Sequence, residues 1–260
     1  MLWHGTGIYP ANGAPGEEGK AGERAQLNSS ESPGFYQAME IKIIKDFSIT
    51  VNEREVLRLL GYRKKEADRS TLQLLKEKEK GLPELVNPQA VYAIFDRSKV
   101  DRHPVFKGAE KIALCICTIG PSLEKKVSAL MKEGSLLEGV ILDALGSEAT
   151  EEVANYANTE ICREISHLRL FPSRRFSPGY GKWDIEEQRL IFSLLPGESI
   201  GVQLNPSCMM VPRKSISFAV NLLPHPDPRL KKSPCHFCQL PNCPYKNNEH
   251  PPLNKEKLPL

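Results

Sequence analysis

The sequence predicts an α+β fold, a mostly antiparallel sheet with helices packed on one face. Three observations carry that expectation. Ile200, Val202 and Leu204 alternate with Gly201 and Gln203, and Ile216, Phe218, Val220 and Leu222 alternate with Ser217, Ala219 and Asn221. Both are period-two patterns, the mark of half-buried strands. Residues 111–117 (Lys-Ile-Ala-Leu-Cys-Ile-Cys) form an unbroken apolar run, which reads as a buried strand. A long helical pattern runs from Leu136 towards His167, and helices and strands follow one another in mixed order rather than in strict alternation.

The elements follow in order. Ile41, Ile43, Phe47 and Ile49 mark a first strand or strand pair. Asn52 caps a short helix with Glu53 and Glu55 in its first turn, Val56, Leu59 and Leu60 on its apolar face, and Gly61 at its end. A second helix starts near Ser70, buries Leu72 and Leu75, and stops at Gly81 and Pro83. Residues 91–95 (Val-Tyr-Ala-Ile-Phe) form a strand whose tyrosine and phenylalanine belong to the core. After the 111–117 strand, Gly120-Pro121 turns the chain into a helix with Leu123, Val127, Leu130 and Met131 inward. Ser135 caps the long helix, whose apolar face becomes Val153, Tyr156, Ala157, Ile161 and Ile165. Asp184-Ile-Glu-Glu187 has the form of a capping box ahead of a helix facing inward through Leu190, Ile191, Leu194 and Leu195.

Composition narrows the function. At 260 residues, with 40% hydrophobic content, the chain can bury a core. A net charge of +3 gives no case for a nucleic-acid partner, which needs a clustered basic face. No apolar run approaches a membrane span, and Met1-Leu-Trp-His does not open a signal peptide, so a cytoplasmic protein is expected. Residues 1–38, rich in Gly, Ala, Glu, Ser and Pro, read as a disordered leader, with a true start near Met39 also open. Residues 39–225 read as the functional domain, in two parts of about 39–110 and 111–225. Residues 226–260 form a proline-rich tail.

The chemistry-bearing residues fall in two places. Arg175-x-x-Pro178-Gly179-Tyr180 has the form of an open loop that holds a ligand. Arg175 offers a rigid fork to a carboxylate, Pro178 fixes φ, Gly179 permits positive φ and close backbone approach, and Tyr180 offers an aromatic face with a polar tip. On composition alone Pro-Gly-Tyr also fits a tight turn beside a core tyrosine. In the tail, Cys235, Cys238 and Cys243 form C-x2-C-x4-C. Three thiolates at that spacing suit zinc or an iron–sulfur cluster, and free thiols stay open as well; Cys208, His236 and His250 are candidate fourth ligands. Seven cysteines in a chain without an export signal argue against a disulfide scaffold. Cys115 and Cys117 read as a buried structural pair, and no Ser-His-Asp or Cys-His nucleophile system is evident. His103 and His167 stand alone.

The run 174–221, with Ala144-Leu-Gly-Ser147, Thr118-Ile-Gly-Pro121, Leu59-Leu-Gly-Tyr62 and Met209-Met-Val-Pro-Arg-Lys214, resembles the activation domain of cobalamin-dependent methionine synthase, in the form of a stand-alone activation protein. The resemblance covers most of residues 39–245. It implies binding of S-adenosylmethionine (AdoMet) by Arg175, Pro178, Gly179 and Tyr180, with an acidic residue for the ammonium group. Glu152 is the first choice there, with Asp143 and Glu148 as competitors. It further implies reductive methylation of a cobalamin carried by a partner protein, with one electron from a donor protein and one methyl from AdoMet. Similar cysteine tails recur in stand-alone members, and the need for an electron favours iron–sulfur over zinc. A reductive activator of another corrinoid methyltransferase, or a non-catalytic module held by zinc, are the alternatives. The chain is too short for the homocysteine, folate and cobalamin modules, so it cannot complete methionine synthesis alone.

Overall fold

The structure is a computed structural model that describes residues 40–62, 66–100 and 103–227. The three-cysteine motif and the leader lie outside the described residues. The helices are α1 (Glu53–Leu59), α2 (Arg69–Lys80), α3 (Leu82–Leu85), α4 (Arg97–Val100), α5 (Ser122–Lys132), α6 (Leu136–Ile165) and α7 (Gln188–Leu194). The strands are β1 (Lys42–Ile44), β2 (Gln89–Asp96), β3 (Lys111–Thr118), β4 (Phe171–Pro172), β5 (Gln203–Leu204), β6 (Met210–Val211) and β7 (Ser215–Leu223).

Five strands form one antiparallel sheet in the order β1-β2-β3-β7-β4, and β5 pairs with β6 as a separate hairpin. Central β3 is in register with β2 from Lys111 opposite Asp96 to Thr118 opposite Gln89, and with β7 from Lys111 opposite Leu222 to Thr118 opposite Ser215. Because side chains alternate across a strand, each of these strands feeds two cores. Ala90, Tyr92, Ile94, Ala113, Cys115, Cys117, Phe218, Val220 and Leu222 meet the long helices. Val91, Ala93, Phe95, Ile112, Leu114, Ile116 and Ala219 meet Trp183, Ile191, Leu195, Ile200 and Val202 on the other side.

The sheet is therefore covered on both faces, not one. The reason is visible in β2, β3 and β7, where both alternating sets of residues are buried, so the 216–222 strand is not half-buried as expected: Ser217, Ala219 and Asn221 are covered as well. Such a strand needs cover on each side. Short helix α7 and the chain around Trp183 supply the second cover. The expected half-buried strand over 200–204 is also corrected. Only Gln203–Leu204 pairs, because residues 197–200 turn as a 3-10 helix and Gly201 takes φ 72°. Ile200 and Val202 are buried there by the turn rather than by a strand.

Helix α6 organises the first face. Ile141, Leu145, Ala149, Val153, Ala157, Ile161 and Ile165 recur every fourth residue, and all are buried. Gly139 and Gly146, seven residues apart, admit α5. A Cβ at Gly146 would lie 2.6 Å from Leu123 Cδ2, and one at Gly139 would lie 2.9 Å from Met131 Cε. Helix α1 is capped as expected, with Asn52 Oδ1 accepting from Arg54 N at 3.0 Å. Helix α2 starts one residue earlier than expected: Asp68 caps it, accepting from Thr71 N at 2.9 Å and from Thr71 Oγ1 at 2.7 Å. Its buried side is Thr71 and Leu75, with Leu74 packed beside them, rather than Leu72 and Leu75. Asp184 makes no side-chain cap; the chain enters α7 through a 3-10 turn, with Glu187 N donating to Asp184 O at 3.1 Å. Among the described residues, no helix is long and apolar enough to cross a membrane.

Candidate functional site

The segment 173–183 is built onto the edge of β7 beyond β4. Ser173 N donates to Asn221 O at 2.7 Å, and Phe176 and Ala219 exchange backbone bonds of 3.1 and 2.8 Å. That pairing gives the segment strand-like alternation, so Arg175 and Phe176 leave on opposite sides of the sheet. Phe176 joins an aromatic cluster with Phe106 and Trp183, at centroid distances of 6.1 and 5.3 Å. Arg175 crosses the first face. Its guanidinium carbon stands 5.3 Å from the centre of the Phe218 ring, and its Nη2 donates to Asn155 Oδ1 at 2.8 Å and to Glu151 Oε2 at 3.3 Å.

The next residues form a tight turn. Gly179 N donates to Trp183 O at 2.7 Å, Trp183 N to Tyr180 O at 3.1 Å, and Tyr180 N to Ser177 O at 3.3 Å. Gly179 takes φ 86°, where a side chain is strained, and a Cβ there would stand 3.1 Å from Ile185 Cδ1. Pro178 is buried beneath the turn. Tyr180, at the tip, is 50% exposed, so it is no core tyrosine. Its surroundings and the charge of Glu151 raise its pKa, which keeps the hydroxyl protonated.

Where Arg175 meets it, α6 presents Glu151 and Asn155, with Glu148 and Glu152 beside them along the helix. Their spacing of three and four residues stacks them on one side of the helix. Asn155 links the two groups, accepting from Arg175 and donating through Nδ2 to Glu152 Oε1 at 2.8 Å. Glu148 is buried, and that burial pushes its carboxyl up to about 7; the charges of Glu152, Glu55 and Glu151 add to the rise, and the N–H of Asn52 opposes it. Below Arg175, Cys115 and Cys117 are fully buried free thiols. Burial pushes Cys117 up to about 12 and Cys115 well above its ordinary value, against a smaller opposite pull from Arg175. Both stay protonated and serve packing.

Asp143 is committed elsewhere. Its Oδ1 lies 2.8 Å from Lys214 Nζ, which also donates to Ser147 Oγ at 2.8 Å and to the Asp143 carbonyl at 3.0 Å. Thr118 Oγ1 accepts from Ser215 Oγ at 2.9 Å and donates to Lys214 O at 3.2 Å. Three of the sequence motifs thus meet at one buried junction between α6, β3 and β7. His103 Nδ1 accepts from Val105 N at 3.3 Å as the cap of a 3-10 turn, and His167 is exposed after α6. Cys208 is buried with φ 58° in the β5–β6 hairpin. Cys235, Cys238, Cys243, His236 and His250 lie outside the described residues, and among the described residues no three His, Cys, Asp or Glu side chains group as a metal site.

Glu151, Asn155 and Phe218 were not singled out in the sequence. The only advance signal was the acidic repeat on α6, and it does not say which turn Arg175 will reach.

A sheet of this order, with one thirty-residue helix across it, places the chain in the class of mixed helical and antiparallel-sheet domains. Among solved structures, it is similar to the MetH reactivation domain bound to AdoHcy, with a TM-score of 0.53 at 15% identity, over 73% of this chain and 80% of that one. At that identity the likeness is one of fold. No family model matches the chain, and no curated protein matches its sequence.

Proposed function

We propose that the chain binds AdoMet at the Arg175–Tyr180 loop and serves as the reactivation subunit of a cobalamin-dependent methionine synthase. The observation that carries this reading is the placement of Arg175 across the sheet face, between the turn at Gly179-Tyr180 and the acidic side of α6. A similar fold has been solved with AdoHcy, the demethylated form of the same ligand.

Each group then has a task. Arg175 takes the ligand carboxylate, exchanging some of its bonding to Glu151 for a charge-assisted pair. Glu152, held by Asn155, takes the ammonium. The backbone at Pro178 and Gly179 lies against the adenine, and Tyr180 packs on the nucleoside. The methyl acceptor is a cobalamin carried by the partner, so the chain itself supplies no nucleophile. One electron from a donor protein and one methyl from AdoMet return that cobalamin to its active form. Cys235, Cys238 and Cys243 hold zinc or an iron–sulfur centre, which iron, sulfide and zinc analysis of anaerobic protein distinguishes. The proposed setting is the cytoplasm.

Reconstitution tests the reading. A cobalamin-dependent methionine synthase lacking its own reactivation domain loses turnover as its cobalamin oxidises. Adding the full chain, AdoMet and a reductant is expected to sustain turnover. Loss at the same rate with and without the chain would overturn the assignment.

A further inference from the structure

Among the described residues, Arg175 makes its side-chain hydrogen bonds through one nitrogen. Nη2 donates to Asn155 Oδ1 at 2.8 Å and to Glu151 Oε2 at 3.3 Å. The buried ring of Phe218, its centre 5.3 Å from the guanidinium carbon, closes one face of the group. A guanidinium takes a carboxylate with two parallel bonds along one of two edges, Nε with Nη2 or Nη1 with Nη2. Each edge uses a hydrogen of Nη2. With two acceptors already on that nitrogen, neither edge is clear for a ligand.

The two acceptors are unequal. Asn155 is tied at its other end as well, donating through Nδ2 to Glu152 Oε1 at 2.8 Å. Releasing Arg175 would free both ends of that amide. The bond to Glu151 is the longer of the two, and the side chains of this ion pair are 46% and 23% exposed for Glu151 and Arg175. Ion pairs with that access to water contribute little, so Glu151 is the partner that yields.

We propose that Glu151 occupies the carboxylate subsite of the free protein and is displaced by the carboxylate of an amino-acid ligand, while Asn155 stays on Nη2 and positions Arg175 for the exchange. The inference rests on the AdoMet reading and gives two further residues a part in it. The hydrogen that Glu151 gives up joins Nε or Nη1 to complete the fork, and the other hydrogen of Nη2 remains with Asn155. Two neighbours of a single nitrogen therefore act in opposite directions: Glu151 competes with the ligand, and Asn155 supports it. Both effects are confined to ligands that carry the amino-acid head.

Calorimetry on the full chain, Glu151→Gln and Asn155→Ala tests this with two ligands. AdoHcy has the carboxylate and no sulfonium charge; methylthioadenosine keeps the nucleoside and thioether and lacks the amino-acid head. Glu151→Gln is expected to bind AdoHcy about two- to fivefold more tightly, because a neutral amide competes less well for Arg175. Asn155→Ala is expected to bind it about three- to tenfold more weakly. Neither change is expected to move the affinity for methylthioadenosine, which a general loosening of the loop or of α6 would move. Equal or weaker AdoHcy binding in Glu151→Gln, unchanged binding in Asn155→Ala, or a parallel change for both ligands would overturn the inference while leaving AdoMet binding intact. A parent that binds the two ligands equally would show that Arg175 does not hold the head group, and would overturn it too. Failure of both ligands to bind the parent would overturn the AdoMet reading and this inference with it.

Discussion

Lys214 Nζ stands 2.8 Å from Asp143 Oδ1, tying the start of β7 to the long helix α6. The ammonium is 6% exposed, and burial lowers its pKa against the pull of Asp143. Two carbonyl or hydroxyl oxygens complete its bonding. A buried cation so placed costs much more when its partner is removed than the pair contributes over apolar replacements. Asp143→Ala is expected to destabilise the fold by about 2–4 kcal/mol, and the double change Asp143→Leu with Lys214→Met to recover most of that. Urea unfolding of the three proteins checks it; an Asp143→Ala midpoint equal to the parent's would show the pair to be incidental.

Glu148 makes stability depend on pH in a direction opposite to most carboxylates. Its folded pKa is raised to about 7, so the folded state holds the proton more tightly than the unfolded chain does. Stability from this group is full below the ordinary carboxylate range and is lost as pH rises towards about 7. Glu148→Gln keeps an acceptor for Asn52 N and removes the titration. The variant is expected to match the parent near pH 5 and to exceed it by about 1–3 kcal/mol near pH 8. Thermal melts at both values decide it, and a constant offset would reject the linkage.

Gly179 combines φ 86° with a crowded Cβ position against Ile185. Gly179→Val is expected to cost the turn about 1–3 kcal/mol and to lower AdoMet affinity at least about tenfold. Adding Ile185→Ala relieves the crowding but not the positive φ, so the double variant is expected to bind little better than the single one. Parent-like affinity in Gly179→Val would show that the turn is no part of the site.

Elements with strong periodicity were legible in advance. Strands β2, β3 and β7 and helices α5 and α6 lie where the patterns put them, because the strands are short apolar stretches bounded by polar or turn residues and the helices repeat apolar residues every third or fourth position. The residues 200–204 were misread because alternation alone does not distinguish a strand from a 3-10 turn followed by a left-handed glycine. The second sheet cover was missed although the unbroken apolar runs imply it. Of the proposed site, residue chemistry alone left Arg175, Pro178, Gly179 and Tyr180 open between a ligand loop and a tight turn, and the family resemblance favoured the loop. Their companions Glu151, Asn155 and Phe218 depend on which helical turn and which strand position lie opposite Arg175, and that is set by the register of residues 173–176 on β7, a tertiary relation.

The central claim is that Arg175 holds the carboxylate of AdoMet, and calorimetry on the parent, Arg175→Lys and Arg175→Ala tests it most directly. Removing a charge-assisted fork costs about 1.5–3 kcal/mol, so Arg175→Ala is expected to bind about ten- to a hundredfold more weakly. Arg175→Lys, which keeps the charge but not the fork, is expected to fall between the two. Folding of each variant is checked by circular dichroism, because Arg175 also bonds to Glu151 and Asn155. Equal affinity in all three folded proteins, or no affinity in the parent, would contradict the account.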